Sequence, residues 1–276
     1  MTEKTQLKGL KRNTIDKYYT KNAVVDVCLN YVKKYIQIKD NDFIIEPSAG
    51  NGSFISGIKS LSSNYMFYDL QPEHNEIIQQ DYLLFNYDDV KGKYENIHII
   101  GNPPFGRQSS MAMKFIKKSC EFCNSISFIL PRSFKKDTMK KTFSLQFHLI
   151  FEIDIPENSF IVDNKEHDVP CVFQIWQKKE ENRVITEKIN PSNFIFVKKT
   201  EQPDISFRRV GVNAGTIDTN TNEKSVQSHY FIKFTNKQSI DHNIKQLSKI
   251  KYEFNNTVGP KSISKQELIK EFIKVL

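Results

Sequence analysis

The sequence contains few cysteines and no long apolar run. Four cysteines among 276 residues are too few and too scattered for a disulfide framework, which favours a reducing compartment. No stretch approaches the roughly 18 consecutive apolar residues of a membrane-spanning helix. Residues Met1 to Arg12 are polar and basic and lack the apolar core of a signal peptide. We therefore expect an intracellular, cytoplasmic protein that is neither secreted nor inserted in a membrane.

Metal-ligand patterns and two common nucleotide motifs are also missing from the sequence. Cys120 and Cys123 form a lone CxxC, with no second pair and no nearby histidine to complete a zinc site. The six histidines are dispersed, so no metal is expected. The chain has neither a complete GxGxxG nor a phosphate-binding GKS/T sequence, which argues against dinucleotides and nucleoside triphosphates as ligands.

Charge is distributed unevenly along the chain. The net formal charge is +8, made up of +4 over residues 1–22, −2 over residues 23–189 and +6 over residues 190–276. A near-neutral central region with basic flanks is typical of a catalytic core beside a polyanion-binding segment. A solvated, lysine-rich surface without a partner would give the same totals.

Short apolar runs alternate with helical patterns over residues 23–178. Apolar spacing predicts a first helix over Ala23–Tyr35, capped by Asn22, and further helices over Gly52–Ser60, Met111–Phe122 and Phe134–Phe143. The predicted strands are Phe43–Glu46, Tyr65–Asp69, Ile77–Asp81, Ile97–Gly101, Ile126–Leu130, Leu149–Ile155 and Val169–Trp176. This order predicts an α/β fold: a Rossmann-like, doubly wound sheet of seven strands. The polar loop Pro156–Asp168 joins the last two strands as a hairpin, so we expect an antiparallel strand at one edge.

The pattern changes after the charged stretch Lys178–Asn182. Three short strand-like runs, a polar loop over Gly211–Ser228 and two helical segments follow. The strands are predicted at Asn193–Val197, Ile205–Val210 and Tyr230–Phe234, and the helices at Ile240–Ile250 and Ser264–Val275. We therefore predict two domains, residues 1–184 and a small basic α+β domain over residues 185–276.

Glycines and acidic residues stand where the first three predicted strands end. The first strand leads into a turn that contains Gly50 and Gly52, where the backbone can approach a ligand closely and a following helix can offer free amides. Asp69 ends the second strand and can accept both hydroxyls of a ribose, and Asp81 ends the third and could accept from an adenine amino group. The predicted adenosine-type pocket consists of Glu46, Pro47, Ser48, Gly50, Gly52, Phe54, Asp69, Leu70, Asp81 and Tyr82.

The fourth strand, Ile97–Gly101, runs into the sequence Asn102-Pro103-Pro104-Phe105. This tetrapeptide offers a side-chain amide, a conformationally restricted carbonyl and an aromatic face at one edge of the sheet. The amide oxygen of Asn102 and the carbonyl of Pro103 could accept both hydrogens of a planar amino group. The ring of Phe105 could stack on the heterocycle that carries this amine.

Together, the segments Glu46–Phe54 and Asn102–Phe105 resemble the class I S-adenosylmethionine-dependent adenine-N6 methyltransferases, in the motif order of the gamma class of DNA enzymes. The resemblance covers about residues 18–178. It implies S-adenosyl-L-methionine as cofactor and a C-terminal target-recognition region. It also implies that Tyr19, Thr20 and Asn102 contact the cofactor, that Asp69 and Asp81 hold its ribose and adenine, and that Asn102–Phe105 form the catalytic segment.

The same resemblance implies that the target base leaves the duplex and that Phe160, in the segment Pro156–Phe160, packs on it. Lys198, Lys199, Arg208 and Arg209, together with Arg107 after the catalytic segment, are candidates for phosphate contacts. Cys171 lies within an apolar strand pattern and is interpreted as a core residue, not as a nucleophile.

Four functions remain open at this point. Methylation of adenine in DNA is favoured by the motif order and the basic C-terminal segment, and methylation of adenine in RNA is the next alternative. Methylation of a protein glutamine amide would use the same two acceptors, but Phe105 in place of tyrosine and the basic segment argue against it. A nucleic-acid-binding subunit without activity is disfavoured by the intact set Glu46, Gly50, Gly52, Asp69 and Asn102.

Overall fold

A computed structural model of the protein describes residues 17–185, 187–257 and 259–276. The predicted polar stretch Met1–Arg12 lies outside these residues. The chain separates into two compact units: the first runs to Phe134 and continues over Thr138–Arg183, and the second comprises Lys135–Asp137 and Val184–Leu276. None of the helices in the described ranges is both long and apolar enough to cross a bilayer.

The described part of the first unit contains ten strands and four α-helices, of which the last begins at Asp137 of the second unit. The strands are β1 (Tyr19–Thr20), β2 (Phe43–Glu46), β3 (Tyr65–Asp69), β4 (Ile78–Gln79), β5 (Ile97–Gly101), β6 (Ser125–Pro131), β7 (Phe147–Asp154), β8 (Phe160–Val162), β9 (Lys165–His167) and β10 (Cys171–Lys178). The helices are α1 (Asn22–Tyr35), α2 (Ile55–Lys59), α3 (Ser110–Cys120) and the short α4 (Asp137–Lys140).

Seven of these strands form one mixed sheet in the order β4-β3-β2-β5-β6-β10-β7. Strands β4, β3, β2, β5 and β6 are mutually parallel, and β10 is antiparallel to both β6 and β7. The Rossmann-like α/β class is therefore confirmed. The antiparallel strand is not at the edge, however, because β10 lies inside the sheet and β7 occupies the edge.

Apolar residues cover both faces of this sheet, which explains why the central strands read as continuous apolar runs. One core includes Ile99, Phe128 and Trp176, and the other includes Ile44, Ile100 and Phe173. Cys171 is fully buried in the second core. Burial at this position agrees with its interpretation as a core residue.

Several element boundaries differ from the predictions. Helix α1 begins at Asn22, so Lys21 is the N-cap residue and no side chain caps this helix. The predicted helix over Phe134–Phe143 is only a 3-10 turn followed by α4. The predicted loop Pro156–Asp168 contains the hairpin β8–β9, which pairs with β1 in a separate three-stranded sheet.

The second unit is an α+β structure with its own core. Its strands are β11 (Phe194–Val197), β12 (Ile205–Arg208), β13 (Ile217–Asp218) and β14 (His229–Phe234), and its helices are α5 (Ile240–Leu247) and α6 (Lys265–Phe272). The strands pair antiparallel in the order β11-β14-β12-β13. Strand β13 lies in the segment that the sequence suggested was a loop. Phe194, Phe207, Leu268 and Phe272 are buried in the core of this unit.

Candidate active site

A pocket of about 230 Å³ lies where the parallel strands of the first unit end. Its wall includes Glu46 from the end of β2, Asp69 from the end of β3, Asp81 beyond β4 and Asn102 beyond β5. Ligands of open α/β sheets bind outside the carboxyl ends of the strands. The predicted cofactor and catalytic segments therefore meet at one site.

Most of the predicted site residues line this pocket. The lining residues among them are Tyr19, Thr20, Glu46, Pro47, Ser48, Gly50, Phe54, Asp69, Leu70, Asp81, Tyr82, Asn102 and Pro104. Gly52, Pro103 and Phe105 belong to the same two loops but do not line it. Tyr18, which precedes Tyr19 and Thr20 in the segment that the resemblance assigns to the cofactor, also lines the pocket. Lys17, Leu83 and Met111 contribute to the wall as well, although the sequence did not indicate them.

The glycine turn after β2 is built to bring the backbone close to its neighbours. Gly50 has a φ of +54°, and a Cβ atom at this position would lie 3.2 Å from the ring of Tyr19. A Cβ atom at Gly52 would lie 2.8 Å from the side chain of Ile55. The backbone N–H of Gly52 donates to the carbonyl of Ala49 over 2.7 Å, and α2 begins only at Ile55. The N–H of Gly52 therefore closes the turn, and the predicted free amides would have to come from other residues at the start of α2.

Asp69 fixes the glycine turn and still has acceptor capacity. Its Oδ2 accepts from the backbone N–H of Gly50 and its Oδ1 from that of Gln71, each over 2.8 Å. A carboxylate has about four acceptor sites, so both oxygens can accept a further hydrogen bond. Asp69 can therefore still accept from a diol, and it also has a structural role in the glycine turn that the sequence did not indicate.

Glu46 is a buried carboxyl group without a partner for one oxygen. Its side chain is 2% exposed, and Oε2 forms no hydrogen bond within the described part of the chain. Burial raises its pKa well above the ordinary value, and the negative charge of Asp69 acts in the same direction. Gly101 leaves room for this side chain, since a Cβ atom there would lie 3.2 Å from Cγ of Glu46. An orphaned buried acceptor at a pocket wall is suited to a cationic ligand.

The side chains of Asp81 and Tyr82 both form hydrogen bonds within the protein. Oδ1 of Asp81 accepts from the backbone N–H of Leu83 over 2.9 Å and so caps a 3-10 turn. Tyr82 is buried, and its hydroxyl lies 2.8 Å from that of Ser119. Burial raises the pKa of Tyr82 well above its ordinary value. Leu70, in contrast, is 61% exposed and offers an apolar surface at the pocket.

The side-chain amide of Asn102 is held in one orientation. Its Nδ2 donates to the backbone carbonyl of Tyr18 and to the hydroxyl oxygen of Thr20, each over 3.2 Å. A carbonyl only accepts, so the atom facing Tyr18 must be the NH2 group. Oδ1 is buried and has no partner among the described residues. A residue that lines the pocket therefore has an oriented amide whose oxygen is unsatisfied.

Further contacts hold the segment after β5. The hydroxyl of Ser48 donates to the backbone carbonyl of Asn102 over 3.0 Å, which joins the glycine turn to the catalytic segment. The carbonyl of Phe105 accepts from the N–H of Met111 over 3.1 Å. Gly106, Gln108 and Ser109 all have positive φ values, of 68°, 54° and 62°. Of these, the non-glycine neighbours Gln108 and Ser109 are strained, and strained residues cluster at functional sites.

The structure does not place Phe160 as the resemblance implied. Phe160 is fully buried, belongs to β8 and packs edge-on against Tyr18 with ring centroids 6.4 Å apart. It does not line the pocket. Its backbone is paired with Thr20, so Phe160 supports the segment that orients Asn102. Phe105 does not line the pocket either, but unlike Phe160 it is only partly buried, between the two cores, and it is the remaining predicted candidate for stacking.

The predicted phosphate contacts fall into two groups. Arg107 is exposed and follows the catalytic segment in the first unit. Lys198, Lys199, Arg208 and Arg209 all belong to the second unit. The ammonium of Lys199 donates to the carbonyl of Lys224, and Arg209 donates to that of Gln227. In the described ranges, no three His, Cys, Asp or Glu side chains group as metal ligands.

No protein-family model and no curated protein sequence matches this chain. Among solved structures, a candidate RNA methyltransferase from Pyrococcus horikoshii is 19% identical, with a TM-score of 0.42 over 63% of this chain and 93% of that one. The 23S rRNA methyltransferase ErmE is 12% identical, with a TM-score of 0.44 over 59% of this chain and 71% of that one. DrdV in complex with DNA is 13% identical, with a TM-score of 0.41 over 59% of this chain and 27% of that one.

Proposed function

We propose that the first unit transfers a methyl group from S-adenosyl-L-methionine to the exocyclic amino group, N6, of adenine in nucleic acid. The observation that carries this proposal is the buried amide oxygen of Asn102, which is oriented by Tyr18 and Thr20 and has no partner among the described residues. A buried acceptor costs free energy when it is left unpaired, so a ligand that donates a hydrogen bond here gains that energy.

The pocket residues fit the chemical groups of S-adenosylmethionine. The unpaired Oε2 of Glu46 suits the ammonium of the methionine portion. Asp69 can accept from ribose hydroxyls with the lone pairs that Gly50 and Gln71 leave free. The exposed face of Leu70 and the side chain of Leu83 offer apolar area for the adenine. When bound, the cofactor supplies a sulfonium-activated methyl group.

Asn102 and Pro103 would hold the acceptor amine. The nitrogen lone pair of an aromatic amine is delocalised into the ring, so the amine is a weak nucleophile. Hydrogen bonds from its two N–H groups to Oδ1 of Asn102 and to the carbonyl of Pro103 would draw the nitrogen toward a tetrahedral geometry. Positioning and preorganised acceptors then provide the acceleration, and no covalent nucleophile of the protein takes part.

A base inside a duplex cannot reach a pocket at the edge of a sheet, so the target adenine must be unstacked first. Phe105 is the candidate for stacking on the unstacked base. The basic excess of +6 over residues 190–276 supports a role of the second unit in binding the polyanion. DNA remains the favoured polymer on the motif order and the basic C-terminal segment, and the contacts of the described pocket residues do not distinguish a ribose from a deoxyribose in the substrate.

A direct assay tests this function. The protein is incubated with labelled S-adenosylmethionine and, separately, with duplex DNA, single-stranded DNA, RNA and a protein extract, and the modified nucleosides and amino acids are identified. We expect N6-methyladenine in at least one nucleic-acid pool. Label in glutamine of the protein pool alone would identify the substrate as protein, and no transfer to any pool would contradict the proposal.

A further inference from the structure

The second unit has a polar pocket of its own on one face of its sheet. Arg208 of β12 pairs with His229 of β14, and Ser206 of β12 pairs with Asp218 of β13. Directly paired residues share a face of the sheet, as do residues two apart on one strand, so these four residues lie on the same face. They line a cavity of about 240 Å³ together with Asn213, Thr216, Ile217 and Lys224.

The charges in this pocket are not balanced by the protein. Asp218 is ion-paired with Lys224 and also accepts from the backbone N–H of Asn220 over 2.8 Å. Arg208 donates from Nε to the carbonyl of Val210 over 3.2 Å. Among the described residues its two terminal guanidinium nitrogens form no further hydrogen bond. One carboxylate therefore neutralises one cation, and the charge of Arg208 has no protein counterion.

His229 is affected by this excess positive charge. Burial lowers its pKa below the ordinary value, and the charges of Arg208 and Lys224 act in the same direction, although the carbonyl of Ser225 and the carboxylate of Asp218 oppose them. Because its pKa is lowered, His229 adds no positive charge at neutral pH, and Arg208 is the cation that an anionic ligand would balance. An anion bound beside the ring would favour its protonated form.

We propose that this pocket binds one phosphate group of the nucleic-acid backbone, with the guanidinium of Arg208 as its principal donor. This inference rests on the proposed function for the identity of the polymer. A planar guanidinium can donate two parallel hydrogen bonds to a phosphate. An isolated carboxylate would fit the same fork, but the +6 excess over residues 190–276 favours a polyanion.

Oligothymidylate without terminal phosphates is the first probe, because it contains no adenine and its binding is independent of methyl transfer. Its affinity for the full-length protein is measured by fluorescence anisotropy at several salt concentrations. We expect Arg208→Gln to weaken binding and to reduce the slope of log K against log salt by about one. Lys237, an exposed lysine outside the pocket, provides the matched control, and Lys237→Gln should leave the slope unchanged.

The variant Asp218→Asn gives a test of opposite sign. It removes the only carboxylate of the pocket and should tighten oligothymidylate binding, whereas mere damage to the fold would weaken it. Thermal unfolding of each variant shows whether the second unit remains folded. Equal losses in Arg208→Gln and Lys237→Gln, or weaker binding by a folded Asp218→Asn, would overturn the proposal.

Proton NMR of the histidine rings separates the possible sources of the phosphate. The resonance of His229 is assigned by its loss in His229→Gln. Saturation with oligothymidylate should move its titration midpoint to higher pH, because a nearby anion favours the charged ring. A shift with thymidine 5′-monophosphate alone would identify a terminal phosphate and overturn the backbone assignment, and no shift with either probe would overturn the site. Failure of the methylation assay would leave these results intact.

Discussion

The side-chain nitrogen of Asn102 donates to the hydroxyl of Thr20 across 82 residues of sequence. This hydrogen bond and the one to the carbonyl of Tyr18 determine which end of the amide faces the pocket. The residue proposed to accept from the substrate amine therefore depends on the segment that precedes α1. Thr20 is 5% exposed, so water cannot readily replace its hydroxyl.

Removing the amide of Asn102 should affect the methyl-transfer step more than cofactor binding. We expect Asn102→Ala to lower kcat by about 10²–10³-fold, the scale for losing one preorganised polar group in a transition state. The dissociation constant of S-adenosylmethionine, measured by calorimetry, should change little. Asn86, which caps a 3-10 turn away from the pocket, provides a control, and Asn86→Ala should retain activity. Near-wild-type kcat in Asn102→Ala would show that the assigned role is wrong.

Thr20 should act through Asn102. In Thr20→Val the side-chain nitrogen of Asn102 keeps only the carbonyl of Tyr18 as acceptor, and we expect kcat to fall by about 3- to 10-fold, corresponding to one hydrogen bond of about 1 kcal/mol. Thr20→Ser keeps the hydroxyl and should restore kcat. In an Asn102→Ala background, Thr20→Val should have almost no further effect. Additive losses in the double variant would mean that Thr20 acts independently of Asn102.

Asp69 should contribute to cofactor affinity in two ways that can be separated. Asp69→Ala removes the acceptor for Gly50 N–H as well as the proposed ribose contacts, so calorimetry should show weaker S-adenosylmethionine binding. The wild type should bind an analogue without the ribose hydroxyls more weakly than it binds S-adenosylmethionine. Asp69→Ala should bind the analogue and S-adenosylmethionine with equal affinity. A persisting preference for the hydroxyls in the variant would assign the ribose to another residue.

The elevated pKa of Glu46 leads to a stability prediction with a definite sign. The folded protein binds a proton at Glu46 at pH values where the unfolded chain has released it, so the stabilising contribution is complete below about pH 4.5 and is lost as pH rises toward the folded pKa. Glu46→Gln should abolish this loss. The difference in unfolding free energy between variant and wild type should grow in favour of the variant by about 1.4 kcal/mol per pH unit between pH 4.5 and the folded pKa, and should be constant above it. Chemical denaturation at several pH values measures it, and parallel pH profiles would contradict it.

Glu46 should also connect cofactor binding to protons. A cationic group placed at its unpaired Oε2 favours the ionised carboxylate, so cofactor binding should release a proton at pH values below the raised pKa. Calorimetry in buffers of different ionisation enthalpy counts this proton. Glu46→Gln should bind the cofactor more weakly and release none. Proton release that is unchanged in the variant would point to another group.

Phe105 and Phe160 should differ in the type of damage that their substitution causes. Phe160 is fully buried, so Phe160→Ala should destabilise the first unit by about 3–5 kcal/mol. Phe105→Leu keeps an apolar side chain of similar length and should mainly raise KM for the nucleic acid through lost stacking. Thermal unfolding and steady-state kinetics on both variants distinguish the two roles. If a stably folded Phe160→Leu variant had a raised KM for the nucleic acid while Phe105→Leu did not, Phe160 would be the residue that packs on the extruded base, as the resemblance implied.

The sequence predicted the central sheet well because its strands are buried on both faces. The observed bounds of β2, β3 and β5 equal the predicted ones, since each apolar run ends at an acidic residue or glycine. The third predicted strand, Ile77–Asp81, shrinks to β4, whose two residues are both exposed. Without burial on a second face, the apolar pattern overestimated its length.

The contacts that orient the site were not predictable in the same way. Strands β1 and β8 have two and three residues, too few for a periodic signal, and they pair only in the tertiary structure. One local signal was available for the hairpin β8–β9. Asp163 and Asn164 both have positive φ, of 48° and 58°, and a two-residue turn of Asp and Asn is favoured in tight hairpins.

The position of β8 in the chain has a consequence for synthesis of the protein. The glycine turn, Asp69 and Asn102 all precede Phe160, but Thr20 acquires its strand partner only at Phe160. A nascent chain that has emerged as far as β6 already contains every residue proposed to touch the cofactor or the amine. It nevertheless lacks β8, the partner of strand β1, whose residue Thr20 orients the amide of Asn102. The site can therefore orient this amide only after β8 has left the ribosome.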